Sequence, residues 1–588
     1  MKIFKKLLFF LSPQEKQKAN FILILILIMA LTDMIGVASI IPFMAVLTNP
    51  GIIETNSVLN KLFDLLNIFG VNAINEFIFV LGILVFVLLI FSLSLKAITS
   101  YFQYRFIMMC DYSLGKRLIE TYLRQPYSWF LDKNSAELGK SILSEAALIA
   151  QQGIGPLMNL IAQGAVTFAL IILLILVDLK LALIISLVIG GAFFSIAYFF
   201  TKFINRIGKE RFITNQQRFK IVNEAFGAFK ETKLGGLEDF FIKKYSHNAF
   251  KNAKHQASMS ILGELPRFFI EAVAFGGMLL LVLYIISQNG IFVDAIPLIS
   301  VYAFAGYRLI PSIQRVYNAI NSLKFADTAI SNLYSDLKNL KTSEINVDQK
   351  ILQFNKSITL NNISYCYPNS SRFSLKDVKI TIPVRKTIGI IGATGSGKTT
   401  IVDVILGLLD AQKGTLEIDN NIISKKNIKN FQRLIGYVPQ NIFLTDDTIA
   451  SNIAFGVDPN NIVPQSIERS SKIANLHDFV INELPEQYNT VIGERGIRLS
   501  GGQRQRIGIA RALYHDPKIL ILDEATSALD NNTEEVVMEA INKLSKNITI
   551  ILIAHRLNTV KNCDIIFKFD KGQLVDQGSF NELFKNLK

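Results

Sequence analysis

Cysteine is scarce in these 588 residues: Cys110, Cys366 and Cys563 stand far apart, in no CxxC or CxxH spacing. That pattern implies neither a disulfide framework nor a zinc site. Low-complexity tracts and long-period repeats are also missing. The basic start MKIFKKLLFFLSPQEKQKAN leads into an apolar stretch too long for a signal-peptide core. No small-residue cleavage site follows it, so the stretch reads as a retained first membrane span. What is abundant is apolar: 50% of the chain is hydrophobic and the mean hydropathy is +0.36, above the soluble norm. A membrane domain is therefore expected. The formal charge of +14 is unevenly spread, and its distribution is more informative than its sum.

Apolar segments near the span length of about 20 residues fall at 21–47, 77–104, 156–178, 180–203, 266–287 and 292–314. Six transmembrane helices are expected. The connections after the first, third and fifth spans hold few basic residues, whereas the N-terminus and the connections 105–155 and 204–265 are rich in Lys and Arg. The positive-inside tendency places the latter set, and both termini, in the cytoplasm. The two long connections keep a helical period without Gly/Pro clusters, so the spans should run on into the cytoplasm. Each has one break, RQPYSWFLDKNSAEL and KETKLGGLEDFF, which by periodicity alone could be a plain surface turn. Residues 58–69 read as an amphipathic helix, lying on the membrane or packed on its own protein.

From about residue 320 the composition turns polar. We expect a membrane domain over 1–325, a linker over 326–349 and an α/β domain over 350–588, where short β-branched runs alternate with helical stretches. In TIGIIGATGSGKTTIVDVILGL an apolar strand leads into Gly392, Ala393, Thr394, Gly395, Ser396, Gly397, Lys398, Thr399 and Thr400, and then into a helix. Such a loop wraps phosphate with backbone N–H groups and a helix N-terminus. Lys398 would neutralise the outer phosphates, and Thr399 would hold Mg²⁺. In KILILDEATSALD a buried strand ends in Asp523, placed to reach the metal through water, and Glu524, placed to polarise the attacking water.

Between these lies LSGGQRQRIGIARAL, where Leu499, Ser500, Gly501, Gly502 and Gln503 precede a helix. Here the sequence resembles the ATP-binding cassette (ABC) transporters, for which LSGGQ is the signature. The resemblance implies an α-helical six-span domain of the exporter type followed by an α/β P-loop nucleotide-binding domain. It implies an ATPase that uses ATP and Mg²⁺. Tyr367 in SYCYP looks like the aromatic that stacks on adenine, Gln440 in GYVPQN like the glutamine that touches Mg²⁺, and His555 in IAHRL like the switch histidine at the γ-phosphate. Asp530 resembles the dimer-contact aspartate, and Glu494 belongs to a stretch resembling the one that contacts coupling helices. The two breaks would then be coupling helices near 125–137 and 230–241. That family hydrolyses ATP between the phosphate loop of one cassette and the signature of another, so one cassette per chain implies a dimer. Since no cassette motif is degenerate, the expected partner is a second copy of the chain. A regulatory cassette protein that transports nothing would tolerate losses at Glu524 or the signature, and neither is lost.

The cassette is silent about cargo. Basic residues deep in a bilayer usually face a cavity or a partner, and four stand near that depth: Lys96, Arg267, Arg308 and Arg315. Arg308 and Arg315 are seven apart, about 10 Å along one helix face, and suggest a path for an anion. The plainer readings are snorkelling at the boundary for Lys96 and Arg315 and an i, i+4 pair with Glu271 for Arg267. Asp33 in the first span suggests a hydrogen-bonding role between helices. The stretches IPFMAVLTNP, LPRFFIEAVAFG and YRLIPSIQRV resemble bacterial lipid-linked oligosaccharide flippases. That resemblance implies a polyprenyl-pyrophosphate glycan moved across the cytoplasmic membrane. The alternative is an exporter of drugs or of lipid A-like lipids.

Overall fold

A computed structural model describes residues 2–68, 70–177, 179–287, 292–340, 352–368, 370, 372–493, 496–525, 531–554 and 557–584. The chain divides into two compact units, residues 1–125 with 133–342, and residues 126–132 with 343–588.

The first unit is helical. Ser12 caps the helix Pro13–Ala38 through a reciprocal box with Glu15, and Pro13 occupies the first turn, so LSPQE is a complete start signal. The first span, expected as one helix over 21–47, is two, Pro13–Ala38 and Ile40–Thr48. Pro42 accounts for the break, because it has no N–H to give and its ring crowds the carbonyl four residues back. Ile74–Leu123, Leu179–Gly227, Glu238–Ser287 and Phe292–Asn339 are the long helices expected from periodicity. Ile74–Leu123, at 50 residues, makes a rod of about 75 Å, far longer than a bilayer is thick. Among the described residues Pro13–Thr48, Ile74–Leu123 and Ser135–Val177 are long and apolar enough to cross a membrane. The other three expected spans lie within long helices whose side chains are only partly described. Of the Asp178–Lys180 turn, Asp178 falls outside the described residues, and the next helix starts at Leu179.

One difference from expectation has a clear cause. The helix Phe292–Asn339 continues through the first part of the presumed linker. Phe325, Ala326, Ala329, Ile330 and Leu333 form a buried stripe there, and Phe9 of the N-terminal helix Lys2–Phe10 meets Tyr334 edge-on at 4.9 Å. The amphipathic segment is the helix Ser57–Asn67, capped by Asn56. It packs on its own protein: Leu59, Leu62, Phe63 and Leu66 gather around Val46, Ile53, Phe77 and Leu81, while Val58 and Leu65 stay exposed.

At the first break a short helix Tyr127–Phe130 follows Pro126, and residues 126–132 group with the α/β unit. At the second, Phe229–Leu234 is followed by Gly236 in the left-handed region (φ +60°), and Leu234 is 93% exposed. Between Ser135 and Val177 the helix is interrupted by two π-helical turns, Ser141–Glu145 and Ala150–Ile154. Glu145 is buried there and accepts from Arg211 Nη1 at 3.0 Å and Asn215 Nδ2 at 3.2 Å.

The second unit has two sheets. Strands β1 (Ser357–Tyr365), β2 (Leu375–Pro383), β4 (Lys413–Ile418) and β5 (Asn421–Ile422) form an antiparallel sheet in the order β2-β1-β4-β5. Strands β3 (Thr387–Gly392), β6 (Ile435–Val438), β7 (Ile519–Asp523), β8 (Thr549–Ile553), β9 (Ile565–Asp570) and β10 (Gln573–Gly578) form the other, in the order β10-β9-β3-β8-β7-β6. All its pairings are parallel except β9 with β10. Strands β7 and β8 are buried along their whole length, which explains their unbroken apolar runs. Their carboxyl ends and that of β3 lie side by side, where open α/β sheets bind ligands.

Candidate functional site

The loop after β3 enters the helix Lys398–Ile405 through Gly397, whose φ of +100° and whose approach to Ser374 require glycine; a Cβ would lie 2.8 Å from the Ser374 carbonyl oxygen. The first backbone bond of this helix is Ile401 N–H to the Gly397 carbonyl, at 2.9 Å. The N–H groups of Lys398, Thr399 and Thr400 therefore have no partner within the helix and are free for an anion. Lys398 Nζ donates to the carbonyls of Gly392 at 2.8 Å and Ala393 at 3.0 Å, folding its charge over the loop. Burial lowers the Lys398 pKa, and the negative charges of Glu524 and Asp523 oppose that shift.

Across the cleft Asp523 ends β7, and the Tyr437 hydroxyl approaches its carboxylate at 3.5 Å. Glu524 sits in the left-handed region, φ +49°, an uncommon conformation for a non-glycine residue. Its N–H donates to the Ile553 carbonyl at 3.1 Å, and its Oε2 accepts from Gln440 Nε2 at 2.8 Å. Burial, and then the charge of Asp523, pushes the Asp403 carboxyl up to about 6. Thr394, Gly395, Gly397, Lys398, Thr399, Thr400, Gln440, Asp523 and Glu524 line one cleft of about 720 Å³. Unpaired amides, a lysine and a pair of acids suit a nucleotide triphosphate with a divalent ion: Thr399, Gln440 and Asp523 are the residues that would hold Mg²⁺.

Other expected residues sit elsewhere. Ser500 caps the helix Gly501–Leu513, with Ser500 N–H donating to Gln503 Oε1 at 2.7 Å and Gln503 N–H to Ser500 Oγ at 3.2 Å. Neither Ser500, Gly501, Gly502 nor Gln503 lines the phosphate cleft of its own chain. Tyr367 does not line it either: its ring packs edge-on to Tyr365 at 5.1 Å, and its hydroxyl bonds Thr400 Oγ1 at 3.2 Å. Phe373 and Arg372 do line it, as does Lys571. The first two lie close enough to SYCYP to have been suspected. Lys571, in the β9–β10 turn, has no sequence signal. Glu494, Asp530 and His555 lie outside the described residues.

In the membrane unit two of the four cations, Arg308 and Lys96, meet at Asp33. Arg308 Nη1 donates to Asp33 Oδ1 at 2.9 Å, Ser92 Oγ donates to the same oxygen at 2.8 Å, and Lys96 Nζ stands 3.8 Å from Asp33 Oδ2. Asp33 thus joins three helices, as its position suggested. Arg267 is not part of this group: its Nε donates to Glu271 at 2.7 Å and it is exposed, so the plainer i, i+4 reading holds. Arg315 is also exposed and makes no ion pair among the described residues. The stripe expected of Arg308 and Arg315 is therefore split, with one half-buried and paired and the other open.

A family model described as the ABC transporter matches residues 375–527, and one described as the ABC transporter transmembrane region matches residues 21–305. The ATP-dependent lipid A-core flippase of Wigglesworthia glossinidia brevipalpis is 31% identical over 475 residues, 80% of this chain and 81% of that one. The flippase of the same name from Photobacterium profundum is 29% identical over 481 residues, covering 81% and 80%. A solved structure, that of a bacterial Atm1-family ABC exporter with ATP bound, superposes with a TM-score of 0.75 at 22% identity, over 97% of this chain and 96% of that one.

Proposed function

We infer, from the premise that this chain belongs to the ABC transporter family, that its cargo is a phosphorylated glycolipid of the lipid A-core kind. The chain is a multi-pass membrane protein and an ATP-driven exporter, an ATPase coupled to movement of a substance across a membrane. Lys398 and the loop amides hold the β- and γ-phosphates, and Glu524 takes the proton of the attacking water. Mg²⁺ supplies charge neutralisation at the phosphate oxygens when bound.

The working unit in this reading is a homodimer. A phosphate cleft with no signature residue in its wall needs Ser500 to Gln503 from a second copy to close over the γ-phosphate. In this reading, which the basic connections support, the cassettes lie in the cytoplasm, the chain sits in the cytoplasmic (inner) membrane and the cargo moves outward.

For the cargo, the observation that carries the reading is the charge imbalance inside the spans. Lys96 and Arg308 meet one carboxylate, Asp33, so excess positive charge remains at a depth where charge is costly. A phosphate group is the natural complement of a half-exposed guanidinium. Related chains named for lipid A-core favour that glycolipid over the polyprenyl-pyrophosphate glycan expected from the membrane stretches, although both would offer phosphate. Reconstituted flipping tests both lipids in one assay. ATP-dependent movement of lipid A-core, lost in Arg308→Ala, is the expected result. Movement of the polyprenyl-linked glycan alone would transfer the function to that cargo, and movement of neither would end the phosphoglycolipid reading.

A further inference from the structure

The group around Asp33 has an asymmetry that cation binding alone does not explain. Its anion is hidden and its cations are not: the Asp33 side chain is 2% exposed, those of Arg308 and Lys96 14% and 25%. The bonding is also incomplete. Arg308 gives Asp33 one N–H instead of the two-pronged fork that Arg and carboxylate favour, and its other N–H groups have no side-chain partner among the described residues. Asp33 Oδ2 is buried and accepts no hydrogen bond among the described residues, with Lys96 Nζ at 3.8 Å. A pair built only to hold helices together would close these gaps.

We propose that Asp33 is a specificity-determining residue, a resident counter-anion that sets the charge a headgroup must carry to engage Arg308 and Lys96. The inference rests on the cargo reading above and deepens it. With Asp33 in place the three side chains Arg308, Lys96 and Asp33 carry one net positive charge. A phosphodiester lipid, the bulk of a bacterial bilayer, carries one negative charge, whereas a phosphomonoester or pyrophosphate carries nearly two. The product of charges is then about two for the dianion and one for the ordinary phospholipid. As a dianion draws Arg308 outward, Asp33 keeps its bond from Ser92 and can close on Lys96. Without Asp33 the group carries two positive charges, and the ordinary phospholipid reaches the product that only the dianion had before. The carboxylate thereby keeps the site from filling with the surrounding lipid.

The test compares the full-length parent and Asp33→Asn in phosphatidylcholine nanodiscs doped with phosphatidylglycerol or with lipid A. ATP turnover is read against each variant's own rate in phosphatidylcholine alone. The parent should respond to lipid A at a concentration at least about tenfold lower than to phosphatidylglycerol. In Asp33→Asn the phosphatidylglycerol response should move down to the range the parent shows for lipid A. Should that variant not fold, Lys96→Gln leaves the Asp33–Arg308 bond intact while taking the net charge to zero. It should weaken the lipid A response by about tenfold or more, a change that a purely structural pair would not produce. A phosphatidylglycerol response that stays where the parent shows it in folded Asp33→Asn, or an unchanged response in Lys96→Gln, overturns the proposal and leaves the cargo reading standing. A parent that hydrolyses ATP but ignores both lipids overturns the cargo reading, and this inference with it.

Discussion

Replacing Glu524 with glutamine separates the base from its scaffold. Glutamine is isosteric, keeps an oxygen to accept from Gln440 Nε2, and leaves the backbone bond from Glu524 N–H to Ile553 unchanged. What disappears is one negative charge and the ability to take a proton from water. A general base contributes about 10²–10⁴-fold, or roughly 3–5 kcal/mol of activation free energy. Nucleotide binding should persist or tighten, because the amides of Lys398, Thr399 and Thr400 are untouched and the cleft has one fewer anion facing the triphosphate. Phosphate release in proteoliposomes should therefore fall at least about 100-fold, while a fluorescent ATP analogue binds with equal or higher affinity. Turnover within tenfold of the parent, at unchanged affinity, would show that Glu524 only orients Gln440. A fall in turnover matched by loss of binding would instead mean that the left-handed turn at φ +49° had collapsed.

Further expectations concern the two units separately. Arg211→Met leaves the buried Glu145 carboxylate with Asn215 as its one bonded partner among the described residues and should cost about 3 kcal/mol. Glu145→Gln/Arg211→Met should cost less, and melting in detergent reads the difference. Leu234→Asp, at a position 93% exposed, should change stability by no more than about 0.5 kcal/mol. If the second break transmits cassette motion, the same change should abolish stimulation of ATP turnover by cargo; unaltered stimulation refutes a coupling role. Burial pushes the Cys110 and Cys563 thiols up to about 12, so thiolate is scarce at pH 8 and grows only as pH climbs toward that value. Maleimide at pH 8 should label half-exposed Cys366 alone, as mass spectrometry of the digested protein would show.

The nucleotide site was legible because its parts are local. A glycine-rich turn, a lysine and a helix start sit within nine residues, and an apolar strand ending in two acids announces β7. Spacing did not point to Phe373, which lies on the cleft wall, while Tyr367 turns its hydroxyl to Thr400 beside it. Lys571 comes from a hairpin turn about 170 residues beyond the phosphate loop, and only the sheet order that sets β9 beside β3 brings it there. The start of the linker is masked in the sequence for a different reason. Polar composition marked residues 326–339 as a connector, but their buried stripe keeps the helical period, and period outweighs polarity where one helix face finds a partner.

In the membrane unit periodicity could place Arg308 and Arg315 on one face, but not say what that face meets. The deciding residue, Asp33, is 275 positions away in sequence, and a lone acid in a span signals only that some partner exists. Depth supplies the missing link. Asp33 lies about 18 Å along its helix from residue 21, and Ser92 and Lys96 are one turn apart on the neighbouring helix. A carboxylate at that depth, held by Ser92 and Arg308, fixes where the cations end up. Arg267, with Glu271 one turn away on its own helix, needs nothing from across the interface and stays outside the group. Arg308 differs from Arg267 in having no acid on its own helix to pair with. For Arg308 the nearest acid is on another helix, shared with Lys96, and cannot neutralise both.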